Sequence, residues 1–338
     1  MDTNAAILQT LLQAEDEEYL SGETLAKEHG ISRVAVNARI RKLKHSGIRF
    51  KAVPRRGYLL QAEPAELHPD LLEAHLHLQP NQGFDPAAVH LLEQTESTNL
   101  EVERRLGAGA EAPLAVFAKS QTQGRGRMGR AWHSTDPRNL YLSIGFRPGQ
   151  SGTALASFSL WAGIRLAQTL RNTTDLPVQV KWPNDLQVGG QKIAGILCEA
   201  KLELDRVQTL VFGLGLNVNQ EADTLPGNLR TPATTLRSLL GATAPIHPLA
   251  VQVLTAVLDG YQACQQPGSG QQLQQEFSTV DALFGQVVTI QNGPVETQGT
   301  AKGIDLHGNL LLEVPEGKTV PIPAGDVSLK KQPNPVTD

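Results

Sequence analysis

Cysteine, methionine and aromatic side chains are all scarce in this 338-residue chain, which has two Cys, two Met and 4% Phe, Trp and Tyr. Two cysteines cannot build a disulfide framework, which fits a reducing cytoplasm. Cys198 stands in the apolar run Ile196-Leu-Cys-Glu and reads as a small buried side chain rather than a nucleophile. With few aromatics and 40% hydrophobic residues, the cores must be aliphatic. No apolar run approaches the ~18 residues of a membrane-spanning helix, and no secretory signal opens the chain, so a soluble, cytoplasmic protein without a membrane partner is expected. Acidic residues are missing from one stretch. Residues 31–60 hold nine Lys and Arg and no Asp or Glu, a patch that the net charge of −4 conceals. The length suggests two or three domains.

That basic stretch belongs to a small N-terminal module. Ile7, Leu8, Leu11 and Leu12 mark one face of a helix over residues 4–13. Ser21 can cap a short helix that Gly30 ends, and Ser32 can cap a second one reaching about residue 46. Val36, Ile40 and Leu43 give the second helix its apolar stripe, with Arg33, Asn37, Arg39 and Arg41 mostly off it. Residues 50–60 then read as strand, turn and strand, with Arg55 and Arg56 in the turn. Helix, short turn, basic helix and wing make a winged helix-turn-helix over residues 1–62. Ser32, Arg33, Asn37, Arg39, Arg41, Arg55 and Arg56 are its candidate DNA contacts.

Residues 63–86 read as a linker with a short helical pattern at 70–78. His75 and His77 lie there without a Cys or a further His to complete a metal site, and are expected at the surface. Residues 87–278 alternate strand-like and helical segments. Ser97-Thr-Asn99 opens one helix, residues 153–170 suggest a long amphipathic one, and Pro183 ends a strand so that Asn184 and Asp185 leave its end. Glycines inside the apolar strand at 210–218 signal a close approach by other groups. Short strands and turns over residues 279–332 suggest a small β-barrel.

The densest signal is Lys119-Ser-Gln-Thr-Gln-Gly-Arg-Gly-Arg-Met-Gly-Arg-Ala-Trp132, in which three glycines alternate with three arginines. Glycine allows close approach to a ligand, and arginine forks fit carboxylate and phosphate oxygens. Such a loop is expected to be mobile until its anion orders it. Gly124-x-Gly126-x-x-Gly129 matches the dinucleotide fingerprint, but a turn and a strand follow where that fingerprint requires a helix. No Gly-Lys-Ser/Thr occurs, so it is not a P-loop.

Four motifs occur in order: Gly-Arg-Gly-Arg-x-Gly-Arg-x-Trp from Gly124, Lys181-Trp-Pro-Asn-Asp-Leu186, Lys192-Ile-Ala-Gly-Ile-Leu-Cys-Glu199 and Gly213-Leu-Gly-Leu-Asn-Val-Asn219. Together they resemble the biotin–protein ligase family. With the N-terminal module the chain is similar to the family's bifunctional, operon-repressing branch. The resemblance implies an α+β chain whose winged helix-turn-helix precedes a mixed-sheet catalytic domain similar to class II synthetases, followed by an SH3-like barrel. It implies biotin, ATP and Mg²⁺. Ser97, Thr98 and Asn99 would bind the biotin ureido ring; Gln121, Gly124, Arg125, Gly126, Arg127, Lys192 and Asn217 would line the biotinyl-adenylate site. Lys192, Arg127 and Asp185 would carry the chemistry, with Mg²⁺ at Asp185. Implied partners are a biotin carboxyl carrier protein of acetyl-CoA carboxylase, operator DNA and a second copy in a ligand-promoted homodimer. Neither Met1 nor Met128 lies beside a lysine as in the family's Met-Lys-Met acceptor motif, so the acceptor is another protein. Met128 and Lys302 stand where relatives often carry Arg. Other readings are a ligase without regulated DNA binding, a lipoate–protein ligase, and a non-catalytic, DNA-binding biotin sensor. The basic loop and Lys192-Ile-Ala-Gly-Ile favour biotin over lipoate.

Overall fold

The chain folds into an N-terminal helical module with a hairpin, a large sheet flanked by helices and a C-terminal sheet. In the computed structural model, residues 1–329 are described apart from 16, 80–82, 150–154, 204, 205, 228, 230 and 316. The expected start of a helix at residue 153 and the expected end of the last domain at 332 lie outside the described residues.

The N-terminal module holds helices α1 (Thr3–Gln13), α2 (Gly22–Glu28) and α3 (Arg33–His45), then a hairpin of β1 (Arg49–Val53) and β2 (Gly57–Ala62). Both expected caps form. Ser21 accepts from the Thr24 N–H and Ser32 from the Ala35 N–H, each satisfying an orphan donor of the first turn. Ile7, Leu8, Leu25, Val36, Ile40 and Leu43 close a small separate core.

Helix α4 (Pro69–Leu78) joins this module to the rest by contributing to two cores at once. Leu71 and Ala74 complete the small core, while Leu72 and Leu76 enter the large one. This packing corrects the expectation for His75, which is buried rather than at the surface. The face carrying His75 turns against α8 (Ile246–Cys264), where its ring stacks on His247 at 6.0 Å. Glu63 closes the joint, 2.8 Å from His75 Nε2 and 2.6 Å from His247 Nδ1.

The large domain is built on a seven-stranded sheet. Its strands are β3 (Val89–Thr95), β4 (Leu114–Gln121), β5 (Leu140–Phe146), β6 (Gln179–Lys181), β7 (Asp185–Val188), β8 (Gln191–Glu203) and β9 (Arg206–Leu216), in the order β3-β4-β5-β9-β8-β7-β6. Only β3 and β4 run parallel; the other neighbours are antiparallel. Helix α5 (Thr98–Gly107) lies on one face, where Val102 and Leu106 pack on Leu114, Val116 and Val211. Helix α6 (Phe158–Thr174), α8 and α9 (Ser269–Ser278) cover the other. Burial pushes the thiols of Cys198 and Cys264 up to about 12, which leaves them inert at neutral pH.

The C-terminal strands β10 (Val287–Asn292), β11 (Val295–Ile304), β12 (Leu310–Glu313), β13 (Thr319–Ile322) and β14 (Asp326–Leu329) form one antiparallel sheet, ordered β13-β12-β11-β10-β14. No closed barrel is found among the described residues: β13 pairs only with β12, and β14 only with β10.

Candidate active site

Backbone geometry at the end of the large sheet gathers the predicted residues into one cleft. Ser97, Thr98, Asn99, Gln121, Arg125, Gly126, Arg127, Asp185 and Lys192 all line it. Trp132, Asn184, Gly213 and Gly215 line it as well, with Asp326 and Val327 from the C-terminal sheet.

One wall is the N-terminus of α5. Ser97 sits at the N-cap position but makes no capping hydrogen bond through its side chain. Thr98 donates through both its N–H and its hydroxyl to Gln121 Oε1, at 2.8 and 3.1 Å. Gln121 donates to Ser134 Oγ, and Ser134 to the Trp132 carbonyl. The buried Ser143 hydroxyl lies 2.7 Å from Thr98 Oγ1 and 2.5 Å from Asn99 Oδ1. Asn99 donates at 2.6 Å to Glu199, which also pairs with Arg125 at 3.4 Å. Thr98, Asn99, Gln121 and Ser143 are each held by another polar group, so a ligand meets a largely preset pattern of donors and acceptors.

The glycines of β9 make room for this arrangement. A Cβ on Gly213 would lie 2.3 Å from Asn99 Oδ1, and one on Gly215 would lie 2.2 Å from the Trp132 ring. The close approach expected along this strand is therefore made by side chains from α5 and from the glycine–arginine loop. The indole N–H of Trp132 is buried without a hydrogen-bond partner, which is costly unless a ligand acceptor meets it.

The opposite wall is charged. Between β6 and β7 the chain reverses through Trp182-Pro-Asn184, as Pro183 in the motif requires. Asn184 donates its amide to the Ile196 carbonyl at 2.7 Å and accepts from Arg127 at 3.2 Å. Asp185 pairs with Lys192 at 2.6 Å, and Lys192 Nζ also stands 5.2 Å over the Trp132 ring. Burial presses the Arg127 guanidinium below its ordinary value, and Asp185 opposes that shift.

The glycine–arginine loop folds back on itself: the Gly126 N–H donates to the Arg130 carbonyl at 2.7 Å, and the Trp132 N–H to that of Gly124 at 2.9 Å. Met128 takes a left-handed φ of 57° and is exposed. Arg130 reaches the C-terminal sheet and pairs with Asp326.

Two of the expected residues, Asn217 and Gly124, do not line this cleft. Asn217 is not brought into the cleft; its amide is tied to the Thr234 carbonyl at 3.1 Å, one residue past the end of β9. Gly124 lies behind the loop, against Trp132 and Ser134. Lys302 pairs with Glu313 at 2.8 Å, away from the cleft. Sequence reasoning missed Ser143, Glu199, Asn184 and the role of Trp132. Ser143 was visible only as a single polar residue in an apolar strand, whereas Glu199, Asn184 and Trp132 stand in the quoted motifs without a role assigned to them.

On the N-terminal module, Ser32, Arg33, Asn37, Arg41, Arg55 and Arg56 are exposed. Arg39 is half-buried and donates at 2.8 Å to the buried Asn4 of α1, which ties α3 to that helix. Arg56 stacks over the Tyr19 ring at 4.3 Å, and Asn37 donates to the wing's Tyr58 hydroxyl.

Comparison with known proteins agrees with this geometry. The Biotin/lipoate A/B protein ligase family matches residues 91–217, an HTH domain matches 4–59, and the Biotin protein ligase C terminal domain matches 283–330. The bifunctional ligase/repressor BirA of Escherichia coli (strain K12) is 33% identical, with 98% of this chain and 99% of that protein covered. The protein of the same name from Bacillus subtilis (strain 168) is 30% identical, over 89% of this chain and 91% of its own. The solved biotin protein ligase from Aquifex aeolicus, in complex with biotin and ATP, superposes with a TM-score of 0.62 at 26% identity, covering 72% of this chain and 99% of that one. With all three segments matched in order and near full-length similarity, the chain belongs to the bifunctional biotin–protein ligase/repressor family.

Proposed function

We propose that this chain activates biotin with ATP, transfers it to a lysine of the carrier subunit of acetyl-CoA carboxylase, and represses transcription in response to biotin. A carboxylate is a poor acyl donor at neutral pH. Activation proceeds by attack of a biotin carboxylate oxygen on the α-phosphorus of ATP, with the bond to pyrophosphate breaking. The acceptor lysine's neutral amine then attacks the carbonyl carbon of the mixed anhydride, and AMP leaves. The observation that carries this reading is the convergence of the α5 N-terminus, Lys192, Asp185 and Arg127 on one cleft.

Ser97, Thr98 and Asn99 bind the ureido ring in this reading, through hydrogen bonds that a polar, uncharged bicycle requires. Lys192 and Arg127 offset the negative charge that grows at the reacting centre, and Arg125 and Gly126 hold the nucleotide. Trp132 and the folded loop shield the anhydride from water. Asp185 can hold Mg²⁺, which takes one or two carboxylates and fills its other positions with water and phosphate oxygens. Among the described residues no group of three acidic, His or Cys side chains is found, so Asp185 would be one carboxylate in a shell otherwise of water and phosphate oxygens. The metal adds charge neutralisation at the phosphates.

The winged module reads operator DNA, and adenylate-promoted dimerisation places two modules on a two-fold site. The finer divisions at residues 62, 86 and 278, the likeness of the central sheet to class II synthetases, an SH3-like C-terminal fold and a cytoplasmic location belong to the same proposal. The test is incubation with ATP, labelled biotin and an apo biotin carrier domain. Label bound covalently to the carrier's lysine is expected. Labelling with lipoate but not biotin, or adenylate formation without transfer, would overturn the ligase assignment.

A further inference from the structure

The outward face of α3 carries an apolar strip that the fold does not use. Val36, Ile40 and Leu43 point into the small core, and at 100° per residue Val34 and Ala38 stand on the opposite side. Val34 is 80% exposed, and Ala38 is exposed one turn further on. A β-branched side chain near a helix start, turned fully to water, contributes neither helix propensity nor burial.

Two of the polar residues beside it, Asn37 and Arg39, are already engaged, while Arg33 stays exposed. Asn37 donates to Tyr58 Oη at 3.0 Å and accepts from Arg41 at 3.2 Å, so the wing and the helix hold it from both ends. Arg39 turns away to Asn4. What the first turns of the helix present outward therefore includes an apolar pair flanked by a locked polar one. The surroundings select the occupant: residues 31–60 carry nine cationic and no anionic side chains, complementary to a phosphate backbone. In the major groove the apolar group that B-DNA offers is the thymine C5-methyl, and the N-terminal residues of a recognition helix are those that reach base edges.

We propose that Val34, with Ala38, reads the methyl group of a thymine in each operator half-site. The proposal rests on the DNA-binding reading of the module and specifies what that module recognises. The experiment uses the full chain with biotin and ATP to enrich a bound sequence from a pool of randomised duplexes. Each thymine of that sequence is then replaced singly by deoxyuridine. One position per half-site is expected where loss of the methyl weakens binding about 3–10-fold, the scale of one buried methyl group. Val34→Ala should bind the thymine and uracil duplexes equally, and Val34→Ile should retain the preference. With an exposed side chain, neither variant is expected to disturb folding. A methyl effect that Val34→Ala leaves intact, or no methyl effect at any position, overturns the assignment while leaving DNA binding standing. Failure to enrich any sequence overturns the DNA-binding reading and this assignment with it.

Discussion

The cleft and the α4 joint are both polar networks that include ion pairs to carboxylates, yet they are organised in opposite ways. In the cleft, pairs such as Lys192–Asp185 and Arg125–Glu199 keep about a fifth to nearly a half of each side chain open to solvent. An incoming phosphate competes for these cations at modest cost, because exposed pairs hold little net energy. In the joint the histidine partners are buried, His75 at 10% and His247 at 0% exposure, although Glu63 keeps about a fifth of its side chain open. The His68 N–H donates to His247 Nε2 at 2.9 Å, so in neutral His247 the proton sits on Nδ1, facing Glu63. His68 in turn reaches the Ser46 hydroxyl at the end of α3. Burial would raise Glu63, but hydrogen bonds from His247 and His75 outweigh it and hold the carboxyl at about 2. Exposed partners can be exchanged for a ligand; buried ones fasten two domains together.

The sharpest break of this contrast is Lys192→Ala. Removing one electrostatic contact at the reacting centre typically costs ~10²–10³ in rate, while the joint should be untouched. Pyrophosphate exchange should collapse by that factor with the unfolding midpoint unchanged; a normal exchange rate would return Lys192 to being a solvated strand-end residue.

Gly215→Ala tests whether Trp132 is held by the strand beneath it. The new methyl would meet the indole ring, and overpacking of this kind costs about 1–3 kcal/mol. Because the ring also lines the cleft, biotin binding followed by tryptophan fluorescence should weaken together with stability. Binding as tight as in the parent would show that the loop adjusts freely.

At the joint the expectation reverses. Glu63→Gln leaves buried histidines without their anion and should cost about 1–3 kcal/mol of stability, read by denaturant unfolding, with the adenylation rate of the folded protein preserved. A loss of adenylation without a loss of stability would erase the distinction between the two networks.

The smallest effect is the pH dependence. Burial lowers both His247 and His68 from 6.5, so the unfolded chain takes up these protons first as the solution becomes acidic. Stability from them is complete well above pH 6.5 and declines as pH falls through it. Glu63 has the depressed pKa of a paired acid, and its contribution is lost from pH 4.5 toward about 2. The slope between pH 7 and 5 should be shallower in His247→Gln than in the parent; equal slopes would mean that the joint does not titrate there.

Much of this organisation was legible in local pattern. Caps at Ser21 and Ser32, the wing, the Pro183 turn and the order of the four motifs all depend on residues close in sequence, where steric and hydrogen-bonding preferences act directly. Nine of the residues that the family resemblance implies do line one cleft, but the resemblance named them rather than local pattern. The strand order of the C-terminal sheet was not legible, because pairing between strand edges is a long-range choice that short alternating runs leave undetermined. Nor was the burial of His75, which depends on α8, some 170 residues later in the chain. Asn217 and Arg39 carry chemistry suited to a ligand, but Thr234 and Asn4 reach them first. Sequence determined which groups this protein possesses and where its chain turns. Tertiary packing decided which of those groups remain available to a ligand, because a polar side chain near buried surface must take whatever partner the fold brings within hydrogen-bonding distance.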